Sequence, residues 1–195
     1  YVGDMQQGAR ADIERTAREA CERKEYGAAV ASIVREYGPE VFGFLVAIHK
    51  DPDQADDAFS LFAERLFTTL TTFQWRCSMR TWCYLLARHA SVTVQRDVAR
   101  RARNAVALDG QKEVEQLAEK IRTETTNLLR TETKSAFQKI RDDLPEEDRM
   151  LLVLRVDREL AWRDVAAVMA PEGETLDEAT LTQQAARLRK RFQLV

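Results

Sequence analysis

Glycine and proline are scarce, with seven and four in 195 residues. So few backbone breakers leave few tight turns, and architectures of many short strands need such turns. His49 and His89 are the only histidines. The three cysteines, Cys21, Cys77 and Cys83, are odd in number and lack metal-ligand spacing. No metal and no cofactor is therefore expected, and the thiols point to a reducing, cytoplasmic setting. No apolar run reaches the roughly 18 residues of a membrane-spanning helix, so no span is expected. The first residues, YVGDMQQGARAD, lack the apolar stretch of a secretory leader. A glycine-rich phosphate loop and a nucleophile–base pair are also missing, and the expectation is a protein that is not an enzyme.

Hydrophobic residues make up 45% of the chain and charged residues 32%, enough for a core under a heavily charged surface. The formal net charge of −2 hides segregation. Acids crowd 51–64 (Asp51, Asp53, Asp56, Asp57, Glu64) and 142–148, with no base among them. Arginines crowd 96–103 (Arg96, Arg100, Arg101, Arg103), and Arg187, Arg189, Lys190 and Arg191 crowd the far end. Separate blocks suit an anionic polymer on one face and a basic partner on another. Taken one at a time, they also suit ordinary solvated helix faces.

The apolar period is helical, and the fold class expected is all-α. A first helix is predicted over about 9–37, with Val30, Ile33, Val34 and Tyr37 inward and a break at Gly38-Pro39. A second carries Val41, Phe44, Leu45 and Ile48. A third spans about 53–70, capped through Asp51-Pro52, with Phe59, Phe62, Leu66 and Phe67 on one face. Asp56, Ser60 and Glu64 recur every four residues along its other side. The segment 71–82 breaks the period, and Ser78 is a plausible cap for a helix over about 79–103. The mixed polar stretch 105–127 reads as a linker. Beyond it, helices are predicted over about 128–141, 144–157, 161–169 and 177–192, the last three patterned as a helix-turn-helix. The organisation expected is an N-terminal extension (1–25), a helical domain (26–104), the linker, and a second helical domain (128–195).

The last helix has hydrogen-bonding residues in its first half (Thr180, Thr182, Gln183, Gln184) and cations in its second (Arg187, Arg189, Lys190, Arg191). The former suit base edges and the latter phosphates. An ordinary amphipathic terminal helix has the same pattern.

Two segments carry a resemblance. ADDAFSLFAERLFTTLTTFQWRCSMRTWCYLLARHASVTVQRDVARRAR is similar to the second conserved region of the extracytoplasmic-function (ECF) class of bacterial RNA polymerase sigma factors, with Ser78, Arg80, Thr81, Trp82, Ala87 and Arg88 at the family's spacing. LPEEDRMLLVLRVDRELAWRDVAAVM with ATLTQQAARLRKRF resembles its fourth region. Together they span about three-fifths of the chain and leave its start outside. The resemblance implies two small helical domains that bind core RNA polymerase and promoter DNA. Asp56, Asp57, Ser60 and Glu64 would meet the β′ clamp, with the β flap on the C-terminal domain. Trp75, Arg76 and Cys77 would lie in a loop that captures a flipped base of the −10 element. Arg80, Arg88, Arg96, Arg100, Arg101 and Arg103 would touch DNA there, although Arg88 could instead satisfy an internal acid. Thr180, Thr182, Gln183, Gln184, Arg187, Arg189, Lys190 and Arg191 would meet the −35 element. Phe73 reads as core, Trp75 as core or stacking platform, Trp82 as core.

Two departures stand out. Ser60 occupies the place of the family's usual glutamine and becomes a candidate phosphosite. The helix-turn-helix turn is lengthened by PEGETLD, so the last helix would be re-aimed. An anti-sigma factor and a Ser/Thr kinase are candidate regulatory partners. Two other functions fit the same residues: a sigma-like regulator acting through protein contacts alone, and a generic helix-turn-helix DNA-binding regulator.

Overall fold

The computed structural model describes residues 2–49, 51–101, 143–174 and 177–194. Among these residues every element is helical: α1 (Val2–Glu22), α2 (Tyr26–Ile48), α3 (Pro52–Thr69), α4 (Met79–Arg101), α5 (Glu146–Leu152), α6 (Trp162–Met169) and α7 (Glu178–Phe192). A 3-10 turn, Leu70–Thr72, closes α3, and a π-helical stretch, Val153–Asp157, prolongs α5. The β-branched run at 91–98 lies inside α4. The linker at 105–127 and the helix expected over 128–141 lie outside the described residues, as does Arg103.

One boundary differs from expectation. The chain breaks at 23–25, and α2 runs straight through Gly38-Pro39. The break is a Schellman motif: Glu25 N–H donates to Ala20 C=O (2.9 Å), Lys24 N–H donates to Cys21 C=O (3.0 Å), and Lys24 takes the left-handed φ of 61°. A proline inside a helix costs about 3 kcal/mol. Val30, Ile33, Val34, Tyr37, Val41, Phe44 and Leu45 form one buried stripe across Pro39, and each such side chain contributes about 1.5–3 kcal/mol. Burial outweighs the break, and Pro39 itself faces solvent.

The remaining ends follow local chemistry. Asp51 Oδ1 accepts from Asp53 N–H (3.0 Å) with Pro52 at the first position of α3. Ser78 Oγ accepts from Thr81 N–H (3.0 Å) and starts α4, as the sequence suggests. Asp177 caps α7 through Thr180 N–H (2.7 Å).

α2, α3 and α4 enclose a core in which Phe42 meets Phe59 (5.3 Å, 64°) and Phe44 meets Tyr84 (5.3 Å, 86°), both in the edge-to-face geometry that ring quadrupoles favour. α1 packs along α2. The buried cluster continues without interruption into the C-terminal helices through Met150, Leu151, Leu154, Leu160 and Val165. α6 lies against α4, and α5 against the end of α2. No helix of the described residues is long and apolar enough to cross a membrane.

Candidate functional site

The acidic helix α3 turns its apolar residues inward: Ala55, Ala58, Phe59, Phe62, Ala63 and Leu66 are buried. Asp57, Ser60 and Glu64 therefore face solvent, and Asp56 is half-buried beside them. Ser60 Oγ donates to the Asp56 carbonyl at 3.1 Å. Phe67, expected inward, stays 36% exposed next to this acidic edge.

The chain leaves helix at Phe73, which is extended (φ −66°, ψ 121°), and Trp75 then takes a left-handed φ of 56°, a backbone state that costs about 1–3 kcal/mol for a side chain of this size. Two neighbours touch its ring. Phe73 approaches at 4.9 Å and is itself stacked on Trp82 at 4.3 Å and 20°. The Arg18 guanidinium lies 4.6 Å from the Trp75 ring centroid. Phe73 and Trp75 are thus half-buried members of one stack, with Trp82 at its buried end. Arg76 is exposed. Cys77 is half-buried, and burial pushes its thiol up to about 11, with Asp164 adding to the rise and Arg163 opposing it.

Arg80 does not face outward. Its guanidinium grips Glu40 with two bonds (2.7 and 3.0 Å) and donates to the Arg158 carbonyl at 2.9 Å. Burial alone would lower its pKa, and the Glu40 bond reverses that and raises it. Arg88 also turns inward and donates to the Ala170 carbonyl at 2.5 Å. Burial lowers its pKa against the pull of Glu147, Glu146 and Glu172. In this arrangement both arginines are used by the protein itself, and among the described residues no acid accepts from Arg88. Arg96 is exposed near the end of α4. Arg100 and Arg101 belong to the same helix, and Arg103 lies outside the described residues.

α7 is anchored by Leu181, which is buried, and by the half-buried Gln184, Ala185 and Leu188. Its outer side carries Thr182, Gln183, Arg187 and Lys190, all exposed. Thr180 is half-buried, and Thr182 Oγ1 returns a bond to the Glu178 carbonyl (2.8 Å). Arg189 lies 5.8 Å from the Trp162 ring centroid, with Arg155 at 5.3 Å from the same ring. Arg191 is spent elsewhere: it bonds Asp148 (2.5 Å) and Glu147 (2.6 Å) at the start of α5. At the other end, Arg163 of α6 holds Glu178 with two bonds (2.9 and 2.6 Å), which keeps that carboxyl below its ordinary range. α7 is therefore pinned to α6 at its start and to α5 at its end, and the polar-to-basic face between the pins is open.

The structure brings the expected residues into three groups: the outward acids of α3, the aromatic loop, and the outward face of α7. Arg80, Arg88 and Arg191 it assigns to internal partners. The residues that do this were not legible from their neighbours in sequence: Glu40, Ala170, Glu147 and Asp148. Glu14 and Arg18 were also missed. They sit four apart on one side of α1, and Glu14 Oε1 accepts from the Met79 N–H at 2.7 Å while Arg18 covers Trp75. That i,i+4 spacing was the available signal. Among the described residues no His, Cys, Asp or Glu group is arranged to hold a metal ion.

No family model matches the chain, and no curated protein matches it.

Proposed function

We propose that the chain is a promoter-recognising subunit of bacterial RNA polymerase, of the ECF sigma class, with a clamp- and −10-binding domain over 26–104 and a −35-binding domain over 128–195. The observation that carries the reading is one molecule with an acidic helix face and a polar-to-basic helix face, both turned to solvent. They lie in the two segments that resemble the class. The subunit performs no chemistry of its own and needs no cofactor. Carboxylates on α3 meet basic residues of core polymerase, which makes association sensitive to salt. Gln183, Arg187 and Lys190 present base-edge and phosphate contacts in a major groove. Trp75 supplies a stacking surface for an unpaired base, worth about 1–3 kcal/mol.

A second reading is favoured by the internal placement of Arg80, Arg88 and Arg191: a sigma-like regulator that works through protein contacts, under an anti-sigma factor or a kinase acting at Ser60. Mixing the protein with bacterial core polymerase at low and moderate salt separates the two. The sigma reading expects a co-eluting complex that Asp56→Arg with Asp57→Arg abolishes, and promoter-dependent transcription that Arg187→Gln with Lys190→Gln abolishes while the complex survives. A complex with no promoter-dependent transcription would favour the second reading. No complex under any condition would overturn the first.

A further inference from the structure

The lengthened turn between α6 and α7 has a seat. Its first residue, Ala170, is buried, and the Ala170 carbonyl accepts from Arg88 of α4. Two residues on, Glu172 pairs with Arg65 of α3 at 3.3 Å, and Arg65 is held in place by Thr93 Oγ1 of α4 at 2.8 Å. A turn of three or four residues would have no reason to reach α3. At the opposite end of the same contact, the Arg158 carbonyl accepts from Arg80. The Arg158 guanidinium lies only 2.7 Å from where a side chain on Gly43 would begin, a space that the missing Cβ leaves open.

The apolar part of the contact belongs to the continuous buried cluster, and its polar part is poor in bonding. Arg88 Nε, His89 Nε2, Arg149 Nε, Arg158 Nε and the Tyr84 hydroxyl are all buried without a hydrogen-bond partner. Each is a donor or acceptor that water would satisfy if the surfaces parted. A half-satisfied polar contact next to a well-packed core is the weaker of the two and opens first.

We propose that the turn beginning at Ala170 is an intramolecular latch: it holds α5–α7 against α2 and α4 by seating Glu172 on Arg65 and the Ala170 carbonyl on Arg88, and it thereby keeps Arg88 from nucleic acid, while Arg80 stays on Glu40 of α2 whether the latch is open or closed. The inference rests on the proposed sigma reading for what the freed Arg88 binds. The latch itself does not depend on that reading. Promoter DNA and the latch compete for Arg88. Binding is therefore reduced by the fraction of molecules that are closed, and weakening the latch restores it.

The test is a charge swap. Arg65→Glu, Glu172→Arg and the double exchange are compared by small-angle scattering and by binding to a mixed-sequence DNA duplex with an unpaired central bubble, at low salt. Glu172 lies at the surface, so its variant keeps the fold, and helix content from circular dichroism checks all three. The latch expects each single variant to expand and the double variant to return to the compact size. It also expects both singles to bind DNA more tightly, by about 2- to 5-fold, the worth of one partly exposed pair. Arg65→Glu decides the sign, because it makes the chain more acidic. A general charge effect would weaken its DNA binding, whereas release of the latch strengthens it. Singles with unchanged dimensions, or a double variant that stays expanded, would overturn the latch. Expansion in the singles with no DNA binding by any variant would uphold the latch and overturn the DNA-binding reading instead.

Discussion

Lys24 stands in the left-handed region where glycine is at home and other side chains lose about 1–2 kcal/mol. The Schellman bonds from Glu25 and Lys24 hold it there. Lys24→Gly should therefore raise stability by about 1 kcal/mol, read as a later denaturant midpoint with an unchanged slope. A second residue-scale effect concerns the histidines. Burial holds His49 below its ordinary 6.5 despite the upward pull of Glu146, and burial does the same to His89 despite Glu172. His49 Nε2 shares a hydrogen bond with Ser91 Oγ at 2.8 Å. The unfolded chain then takes up protons first as pH falls below 6.5, so stability is full above that value and declines beneath it. The melting temperature should drop between about pH 6.5 and 5, where the carboxylates are still ionised. His49→Asn with His89→Asn should flatten that drop. A wild-type melting temperature level across the interval would refute it.

At the scale of elements, caps and turns divide into those visible in sequence and those made by packing. Ser78 was legible as a cap because a small hydroxyl residue precedes a helical pattern, and its bond to Thr81 N–H bears this out. Ser78→Ala should lower stability by about 1 kcal/mol without altering helix content. The break between α1 and α2 was not legible. Gly38-Pro39 is the stronger local signal, and it lost to a buried stripe that extends on both sides of it. Lys24 has no sequence mark of a helix stop. The apolar face of α3 was read correctly except at Phe67, which stays exposed beside the acidic edge.

For the whole molecule, the half-buried Cys77 is a natural reporter. It sits near Arg163 and Asp164 of α6, and burial pushes its thiol up to about 11, so it should react faster when the C-terminal helices move away. Cys83 is fully buried and its thiol is raised further, while Cys21 is partly exposed and raised less by burial. Labelling at neutral pH should modify Cys21 first, Cys77 slowly and Cys83 only on unfolding. Arg65→Glu should accelerate Cys77 and leave Cys83 unchanged. Equal acceleration of both would mean global loosening in place of a local release.

The helical class, the outward acids of α3, the cap at Ser78 and the open face of α7 followed from the sequence by itself, because each depends on spacings of three or four residues within one helix. Which cations remain available did not. Arg80 finds its acid 40 positions away, Arg88 its carbonyl 82 away, and Arg191 its carboxylates 43 and 44 away. The docking of α5–α7 brings Arg88 to its carbonyl and sets the backbone of Arg158 on Arg80, and the packing of α7 on α5 brings Arg191 to its carboxylates. A guanidinium's role depends on the nearest acceptor in space, and no local pattern encodes that distance.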